Sequence, residues 1–483
     1  MNIRLSMPNT RSTTDSEGTT NSNANPDFEV GLDRENAVTS VLIALTDANL
    51  KVAAAQKVEN LGAISAQQVY TVTFKAADLL QITAGAQLKV VAFCNPNTDV
   101  ISKVVKDANI KDIAYTSAAA DGAEIWASSN FLMTNADLST SVTVPADWKP
   151  YYSVSNPFNL GTVNVERSAA RFDYKTVKTD NKYPIVNDKT GATALEVQLT
   201  DVALINESKS FYYLRRVSGT GQNDNAEVGG TETASNYVVD TDAASKNEWT
   251  KATDLTGNFW YNLSTPAAWA WTSLSDITEN DKWEGTGDYK VWRYAYENTI
   301  PAGTSNQKNG ITTGVVFKGN LLVNDPSIDT SKPIFVFQNK VYGNWSAVKA
   351  AAEANTLPAL TVAYEKANTE DGSGAVGKYG FTRYMPDDAG NYPMVYYYWN
   401  RHNDNNDNTV MGTMEFCVVR NNVYKLAVTS INNFGHPDPS VDPGTDPDPD
   451  PVDPDDPDEE NNVYFNVSVK VLPWVVRVNN IEF

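Results

Sequence analysis

The chain has 483 residues, of which 41% are apolar and 10% aromatic, and it carries a formal net charge of −21. This length exceeds what one hydrophobic core usually supports, so we expect two domains. The charge argues against nucleic acid as a partner, because a phosphate-binding surface needs clustered lysine and arginine. Two cysteines occur, Cys94 and Cys417, each inside an apolar run, which indicates buried thiols and not a disulfide framework.

The chain opens with a short strand pattern. Ile3, Leu5 and Met7 place apolar side chains on alternate positions, and a proline then ends the run. Residues 12–25 are almost wholly polar and bury too little apolar surface to offset the entropy of ordering, so we expect a flexible tether. No apolar run approaches the ~20 residues that span a bilayer, and no signal-peptide pattern follows Met1. The protein is therefore either cytosolic or has had its export signal removed.

Short runs rich in β-branched and aromatic residues follow, and their spacing indicates a β-sandwich. The first group of predicted strands covers residues 38–45, 69–74 and 88–93. The second group covers residues 161–166, 172–174, 194–200, 314–317, 334–338, 394–399 and 422–429. We therefore place a domain boundary near residue 168. Helical periodicity is weak, with candidates at residues 101–108 and 345–354, the second beginning near Asn344.

An acidic spacer and a second strand pattern end the chain. Residues 437–460 contain eight prolines and eleven acidic residues, so charge repulsion and fixed proline φ angles keep them extended. A polyproline II conformation would reach about 70 Å. The apolar residues that follow are Val463, Phe465, Val467, Val469 and Val471 at alternate positions, and then Leu472, Trp474, Val476 and Val478. This is the clearest strand pattern in the chain.

One glycine-rich motif occurs. Residues 372–377 match the dinucleotide pattern G-x-G-x-x-G, whose fingerprint needs a strand before it and a helix after it. Polar residues precede the motif, so we predict a glycine-rich surface loop. Paired carboxylates for glycoside cleavage cannot be picked out from 59 acidic residues without geometry. We predict that the protein is not an enzyme and binds no cofactor.

Metal-binding patterns are incomplete. The two histidines, His402 and His436, do not have zinc-ligand or metalloprotease spacing. Asp404, Asn406 and Asn408 alternate as at the start of a calcium loop, but the required glycine and the bidentate glutamate are missing. The sequence therefore predicts a solvated loop here and no metal site.

Six tryptophans fall between Trp249 and Trp292, interleaved with aspartate, asparagine and tyrosine. Such a group could stack against sugar rings, which makes a carbohydrate-binding adhesin module using residues 249–292 the alternative function, with a hydrolase as a third. We favour the interpretation in which these side chains fill the core and pin the long loops of a sandwich. Substitution of Trp269 or Trp271 would distinguish the two.

The two chain ends share one arrangement, in which a strand pattern is joined to the body through a segment that cannot pack. Pattern alone favours edge strands, each in its own sheet, since edge strands are common. The other interpretation is β-strand addition to a neighbouring copy, in which main-chain hydrogen bonds supply affinity and alternate side chains fill pockets. Five buried apolar side chains at ~1.5–3 kcal/mol each would contribute ~7–15 kcal/mol before association costs.

Motifs in a fixed order run along the whole chain. They are residues 24–28, 87–96 and 163–171 in the first part, and residues 419–425, the Pro/Asp spacer and residues 471–475 in the second. Their order and spacing resemble the fimbrillins that build type V pili, and especially the short-fimbria branch of that family. This resemblance reverses the preference for edge strands.

The resemblance implies an all-β protein of two tandem transthyretin-like β-sandwich domains with minor helices and a carboxy-terminal donor-strand extension. Such a subunit is exported through the outer membrane as a lipoprotein precursor and activated at the surface by an arginine-specific protease. Cleavage between Arg11 and Ser12 would release the first strand and open a groove for residues 463–483 of another copy. Arg34 is a rival site, made less attractive by its acidic neighbours and by the strand predicted from residue 38.

The resulting domain assignment is a strand removed on maturation (1–11), an amino-terminal sandwich (12–168), a carboxy-terminal sandwich (169–436), a spacer (437–462) and a donor strand (463–483). The predicted function is a pilus stalk subunit that supports adhesion, colonisation and virulence, since tip components of the family generally lack a strand to donate. Expected partners are copies of itself, minor tip and anchor subunits, the protease, and host glycans or proteins. The lipoprotein signal that the resemblance leads us to expect before the first strand is absent from this sequence, so surface localisation rests on the resemblance alone.

Overall fold

The structure, a computed structural model, describes residues 2–6, 29–61, 70–120, 122–127, 131–146, 155–185, 195–248, 257–277, 289–302, 311–403, 411–438, 441 and 465–475. Within these residues, regular structure is mostly β-strand, and the all-β class predicted from the sequence is confirmed.

The described strands fall into two groups along the chain. Those before residue 168 are β1 Asn2–Ser6, β2 Glu29–Val30, β3 Val41–Thr46, β4 Val52–Val58, β5 Tyr70–Thr71, β6 Gln87–Cys94, β7 Ala114–Thr116, β8 Met133–Asn135, β9 Ser141–Thr143 and β10 Asn159–Arg167. Those after it are β11 Ala170–Tyr174, β12 Lys182–Pro184, β13 Glu196–Ile205, β14 Glu207–Ser208, β15 Ser210–Tyr212, β16 Arg216–Ser218, β17 Glu227–Val228, β18 Tyr237–Val238, β19 Phe259–Trp260, β20 Thr272–Ser273, β21 Lys290–Ala295, β22 Gly314–Leu322, β23 Ile334–Phe337, β24 Lys340–Tyr342, β25 Phe381–Tyr384, β26 Tyr392–Trp399, β27 Asn422–Ile431, β28 His436–Pro437 and β29 Phe465–Val475.

The described helices are short. They are α1 Asp33–Asn36, α2 Ala76–Leu79, α3 Thr98–Lys103, α4 Ala123–Trp126, α5 Ala243–Glu248, α6 Trp345–Glu353 and α7 Pro358–Glu370, together with 3-10 helices at Pro266–Ala268 and Gly372–Tyr379.

The first group of strands builds an eight-stranded sheet in the order β4-β3-β6-β8-β10-β1-β5, with β9 paired to β6. All six residues of β3 are buried, and its antiparallel partner β6 is buried over its last five positions. Residues 41–45 of β3 and 90–94 of β6 are continuous apolar runs, as expected for strand segments covered on both faces. Ile43, Val90, Met133 and Val163 are among the fully buried side chains of this core.

Ten strands of the second group, together with β2, form a sandwich. A five-stranded sheet in the order β2-β29-β27-β11-β21 packs on a six-stranded sheet that contains β12, β13, β22, β26, β28 and β20. Phe172 and Tyr424 of the first sheet stack with ring centroids 5.0 Å apart, and they share a core with Val202 and Phe317 of the second. The inward-facing apolar residues of both sheets therefore build one core, as in other sandwiches.

The two groups of strands are joined by pairing and by shared apolar contacts. β15 pairs antiparallel with β7, which aligns Phe211 with Tyr115. These two rings pack with Tyr213 and Tyr296 in a fully aromatic contact at centroid distances of 4.9 to 6.3 Å. Val423 of β27 also packs into the amino-terminal core. An extensive apolar contact thus crosses the position near residue 168.

The structure also corrects several local predictions. The helix expected at residues 345–354 is confirmed as α6, but the helix expected at 101–108 is wrong in its bounds, because α3 starts at Thr98 where the Asn97 side chain accepts from the Val100 amide at 2.9 Å. Of the strand expected at 69–74, only β5 is present. The 372–377 motif is a 3-10 helix that follows α7 and not an irregular loop. The two-domain division and its boundaries stay predictions.

Candidate functional site

The first strand lies inside the amino-terminal sheet. β1 runs parallel to β10 on one side and antiparallel to β5 on the other. Ile3 pairs with Tyr70 of β5, and Leu5 pairs with Val163 of β10. Met7, the third residue predicted for this strand, lies outside the described residues. β1 therefore separates β10 from β5, and it is not an edge strand of this sheet.

The β1–β10 pairing contains an irregularity. Asn2 pairs with Asn159 and Arg4 with Thr162, so β10 has one extra residue between the two positions. Gly161 lies there with φ +85°, a left-handed conformation that glycine adopts without a steric penalty. Leu160 and Val163 on either side are fully buried in the core. β10 is thus anchored by its own side chains, whereas β1 is a five-residue strand in a parallel, bulged ladder.

The last strand lies in the carboxy-terminal sandwich. β29 runs antiparallel to β27 over nine aligned residue pairs, from Asn422↔Pro473 to Ile431↔Phe465. Its far end runs parallel to β2, with Glu29 aligned to Trp474. β29 is continuous through Pro473 and therefore joins the two apolar stretches seen in the sequence into one eleven-residue strand.

Some of the predicted site residues lie in the described parts of the chain, and others lie outside them. Those on β29 are Phe465, Val467, Val469, Val471, Leu472 and Trp474. Those outside the described residues are Val463, Val476 and Val478 of the donor segment, and Arg11 and Ser12 of the cleavage site. β1 and β29 are not neighbours in this chain, because each lies in a different sheet.

A buried ionic cluster lies at α1, and the sequence did not predict it. Glu35 of α1 is fully buried, with Oε2 2.9 Å from Arg171 Nη1 and 2.6 Å from the Leu32 amide. The Tyr294 hydroxyl donates to the other oxygen of Glu35. Arg171 also makes a bidentate pair with Asp173, at 2.8 Å for each bond. Charged side chains in a sequence normally predict solvent-exposed positions. The only indication at Arg171 was therefore the motif at residues 163–171.

The same cluster determines the surroundings of Arg34, the rival cleavage residue. Burial opposes the charge of the Arg171 guanidinium, but Asp173 and Glu35 outweigh it and raise the pKa of Arg171. Arg34 lies in the same helical turn as Glu35, and its Nη2 donates to the Tyr294 hydroxyl at 3.2 Å. The peptide bond after Arg34 is therefore held in a helix that is tied to buried charges.

The tryptophan-rich region contributes to the interior. Trp269 is 6% exposed, its Nε1 donates to the Asn262 carbonyl at 3.0 Å, and its ring packs against Trp271 and Tyr397. Trp292 packs edge-on against Phe172 in the sandwich core. These contacts match the core-filling interpretation of the described tryptophans, while Trp249 lies outside the described residues.

The remaining candidate groups have structural partners. His402 is buried between the Tyr424 hydroxyl at 2.9 Å and the Glu232 carboxylate at 3.0 Å. Cys94 and Cys417 are free, fully buried thiols, and burial raises the pKa of each, to about 12 for Cys417. The part of the chain that the structure describes contains no group of three side chains able to hold a metal ion. No helix in that part is long and apolar enough to cross a membrane. Asp404, Asn406 and Asn408 lie outside it.

Comparison with known proteins identifies the region that contains β26, β27 and β29. Residues 391–480 match the family model of the carboxy-terminal part of fimbrillin, described as the major fimbrial subunit protein type IV. Over this carboxy-terminal region the chain is similar to fimbrillin. The short-fimbria branch stays a prediction.

Solved structures that align with nearly the whole chain at low identity and low TM-score include three proteins of fimbriae or adhesion. A fimbrilin from Porphyromonas gingivalis W83 is 14% identical, with 98% of each chain covered and a TM-score of 0.42. A candidate cell adhesion protein from Parabacteroides distasonis ATCC 8503 is 12% identical, with 98% of this chain and 97% of that chain covered and a TM-score of 0.43. The tip fimbrial protein Mfa3 from Porphyromonas gingivalis is 9% identical, with 98% and 100% covered and a TM-score of 0.39. No curated protein matches the sequence.

Proposed function

We propose that this protein is a fimbrillin, the stalk subunit of a fimbria at the cell surface, which polymerises by protease-activated donor-strand exchange and thereby supports adhesion and colonisation. The observation that carries the proposal is the position of β1, a short strand inserted between β10 and β5. Removal of a strand from inside a sheet leaves two rows of unpaired backbone groups facing one gap. A second copy that offers a strong strand can satisfy both rows.

The first step is cleavage between Arg11 and Ser12 by an arginine-specific protease. A protease binds its substrate as an extended chain, so exposed segments without regular structure are cut first. The polar composition of residues 12–25 favours such a segment beside Arg11. Arg34 lies in α1 beside the buried Glu35, and cutting there would require the ionic cluster to open. This difference supports Arg11 over Arg34.

The second step is exchange of strands. β1 has five residues in a parallel ladder with a bulge, whereas β29 has eleven residues. A longer strand forms more ladder hydrogen bonds and places more apolar side chains in the groove, which favours the donor over the departed strand. To be donated, β29 must leave β27 of its own subunit, and the acidic spacer, residues 437–462, supplies the length that such a transfer needs.

The rest of the proposal concerns export and partners. The precursor would be a lipoprotein that crosses the outer membrane before cleavage, and the filament would include minor tip and anchor subunits and contact host glycans or proteins. The role is structural, so no cofactor and no catalytic residue belong to it.

Electron microscopy of the purified chain after treatment with an arginine-specific protease tests the proposal. The unaltered chain should form fibres, and Arg11→Ala should remain monomeric because β1 stays in its sheet. The matched control is Arg34→Ala, which should still form fibres. A chain that lacks residues 463–483 should be cleaved yet stay monomeric. Fibres of normal length from that truncated chain would contradict donor-strand exchange, and fibres from Arg11→Ala but not Arg34→Ala would move the cleavage site to Arg34.

A further inference from the structure

A buried lysine that the proposed exchange of strands does not use lies in the carboxy-terminal part of the chain. Lys246 is on α5, and it is 1% exposed. Asp240 and Asn298, the two side chains beside it, are 0% and 1% exposed. Lysine is among the residues least often buried completely, so three polar groups enclosed together call for a chemical explanation.

The lysine nitrogen contacts an acid and an amide at once. Lys246 Nζ donates to Asn298 Oδ1 at 2.7 Å and to the Thr299 carbonyl oxygen at 2.8 Å, and it forms an ion pair with Asp240 Oδ2. Asp240 Oδ2 also accepts from the Thr299 amide at 2.7 Å. The amine, a carboxylate and a carboxamide carbonyl are therefore held within hydrogen-bonding distance of one another.

The orientation of the Asn298 amide is fixed from its other side. Its Nδ2 donates to the Ile311 carbonyl oxygen at 2.8 Å and to Thr313 Oγ1 at 2.9 Å. Because an amide nitrogen is only a donor, these acceptors keep the carbonyl side of the group turned toward Lys246. The same acceptors lie where an ammonia molecule would leave.

The surroundings of the lysine are apolar and closed to water. The Phe259 ring centroid lies 5.9 Å from Lys246 Nζ, and Phe259, Ile300 and Cys417 belong to one buried apolar cluster. In such a medium, transfer of one proton from the Lys246 ammonium to the adjacent Asp240 carboxylate leaves two neutral groups. A neutral amine is the nucleophilic form of lysine.

We infer that Lys246 and Asn298 form an intramolecular amide bond, with Asp240 as the carrier of protons. The Lys246 ammonium gives a proton to Asp240, and the neutral Nζ attacks Cγ of Asn298. The Nζ–Cγ bond forms, Asp240 gives its proton to the departing nitrogen and takes the second proton that Nζ loses, the Cγ–Nδ2 bond breaks, and ammonia leaves. Nothing is oxidised or reduced, and no further reactant is needed. The exclusion of water protects the product from hydrolysis.

The bond would close a covalent loop around the tryptophan-rich region. Lys246 and Asn298 are 52 positions apart in sequence, and the residues between them include Trp249 to Trp292. A cross-link of this kind restricts the unfolded chain and resists extension of the subunit, whether or not the chain polymerises. The inference is independent of the donor-strand proposal.

Intact-mass spectrometry of the folded, purified full-length chain tests this directly. We expect a mass lower than the sequence mass by one ammonia, and after digestion a branched peptide that joins Lys246 to Asn298. Lys246→Ala, Asn298→Ala and Asp240→Asn should each restore the full sequence mass. The matched control is Lys318→Arg, which alters another lysine paired with an aspartate, Asp438, at 2.6 Å, and should keep the deficit.

The intact mass of the unaltered protein tests the inference even where a variant fails to fold. A mass equal to the sequence mass would overturn the inference and leave an ion pair only. Loss of one water in place of one ammonia would also overturn it, because the acyl partner would then be Asp240. A mass deficit that persists in Asn298→Ala would also overturn the inference.

Discussion

Glu166, at the end of β10, is a buried carboxylate at the junction of the two strand groups. Its Oε2 lies 2.9 Å from Arg215 Nη1, and both side chains are almost fully buried. Burial raises the pKa of Glu166 from 4.5 to about 7, although Arg215 and Arg420 lower it. Glu207 is similar, since burial raises its pKa to about 7 against the effect of Arg293. Both acids therefore favour the protonated form in the folded state.

These pKa values predict that stability falls as pH rises from 4.5 to about 7. A raised folded pKa gives stability that is complete below the unfolded pKa and is lost as pH rises through the folded value. For Glu166 the loss is on the order of 3 kcal/mol. Glu166→Gln should remove its share of the slope of urea midpoint against pH, leaving that of Glu207. Glu59→Gln is the control. Lys57 lowers the pKa of this exposed acid, so any change of stability with pH that Glu59 causes occurs below pH 4.5. An unchanged slope in Glu166→Gln would contradict the assignment.

For single residues, the sequence predicts the burial of apolar side chains better than that of charged ones. Cys94, Ile43 and Val163 are buried as their apolar neighbours indicated. Glu35 and Arg171 have the composition of surface residues, and only their partners from distant parts of the chain reveal their burial. A sequence pattern records the polarity of a residue but not the position of a partner 136 residues away.

Among the elements, α6 begins with a cap that the sequence predicted. The Asn344 side chain accepts from the Ala347 amide at 2.9 Å. Loss of this bond should destabilise the first turn by about 1 kcal/mol. Asn344→Ala should therefore speed hydrogen exchange of the α6 amides about fivefold, while Asn344→Asp, which keeps an acceptor, should not. Equal exchange in both variants would show that packing of Val348 and not the cap holds the helix start.

Elements with weak local patterns were harder to predict. α7 was missed because its buried face consists of Leu360, Ala363 and Ala367, a narrow stripe with two small residues. Pro358 at its first position was the available signal, since proline is favoured there. β2 and β5 have two residues each, and such strands exist only through their neighbours β29 and β1.

For the whole molecule, the long-range order of the strands could not be read from the sequence. β11 runs parallel to β27, which is 252 positions away by register, and β7 pairs with β15 across the junction. Alternation predicts which segments are strands, but any strand of suitable polarity can pair with any other. The spacing of the short strands indicated a β-sandwich, and the resemblance to fimbrillins added the expectation of two such domains in tandem.

Exchange of strands between subunits predicts that backbone protection moves from one sheet to another. In the single chain, β27 amides are protected by β29, and β10 amides by β1. After cleavage and before assembly, the amides of β10 that face β1 should exchange faster, because their partner has left. In the filament these amides should become protected again, now by a donor strand, while the β29 side of β27 should lose its protection. Amides of β3, a central strand paired on both sides, should stay protected throughout and serve as the internal control.

Hydrogen exchange with mass spectrometry measures all three states. If β27 remains protected by β29 in the filament, the strand that enters the β10 groove comes from elsewhere, and the terminal strand is a fixed part of its own sandwich.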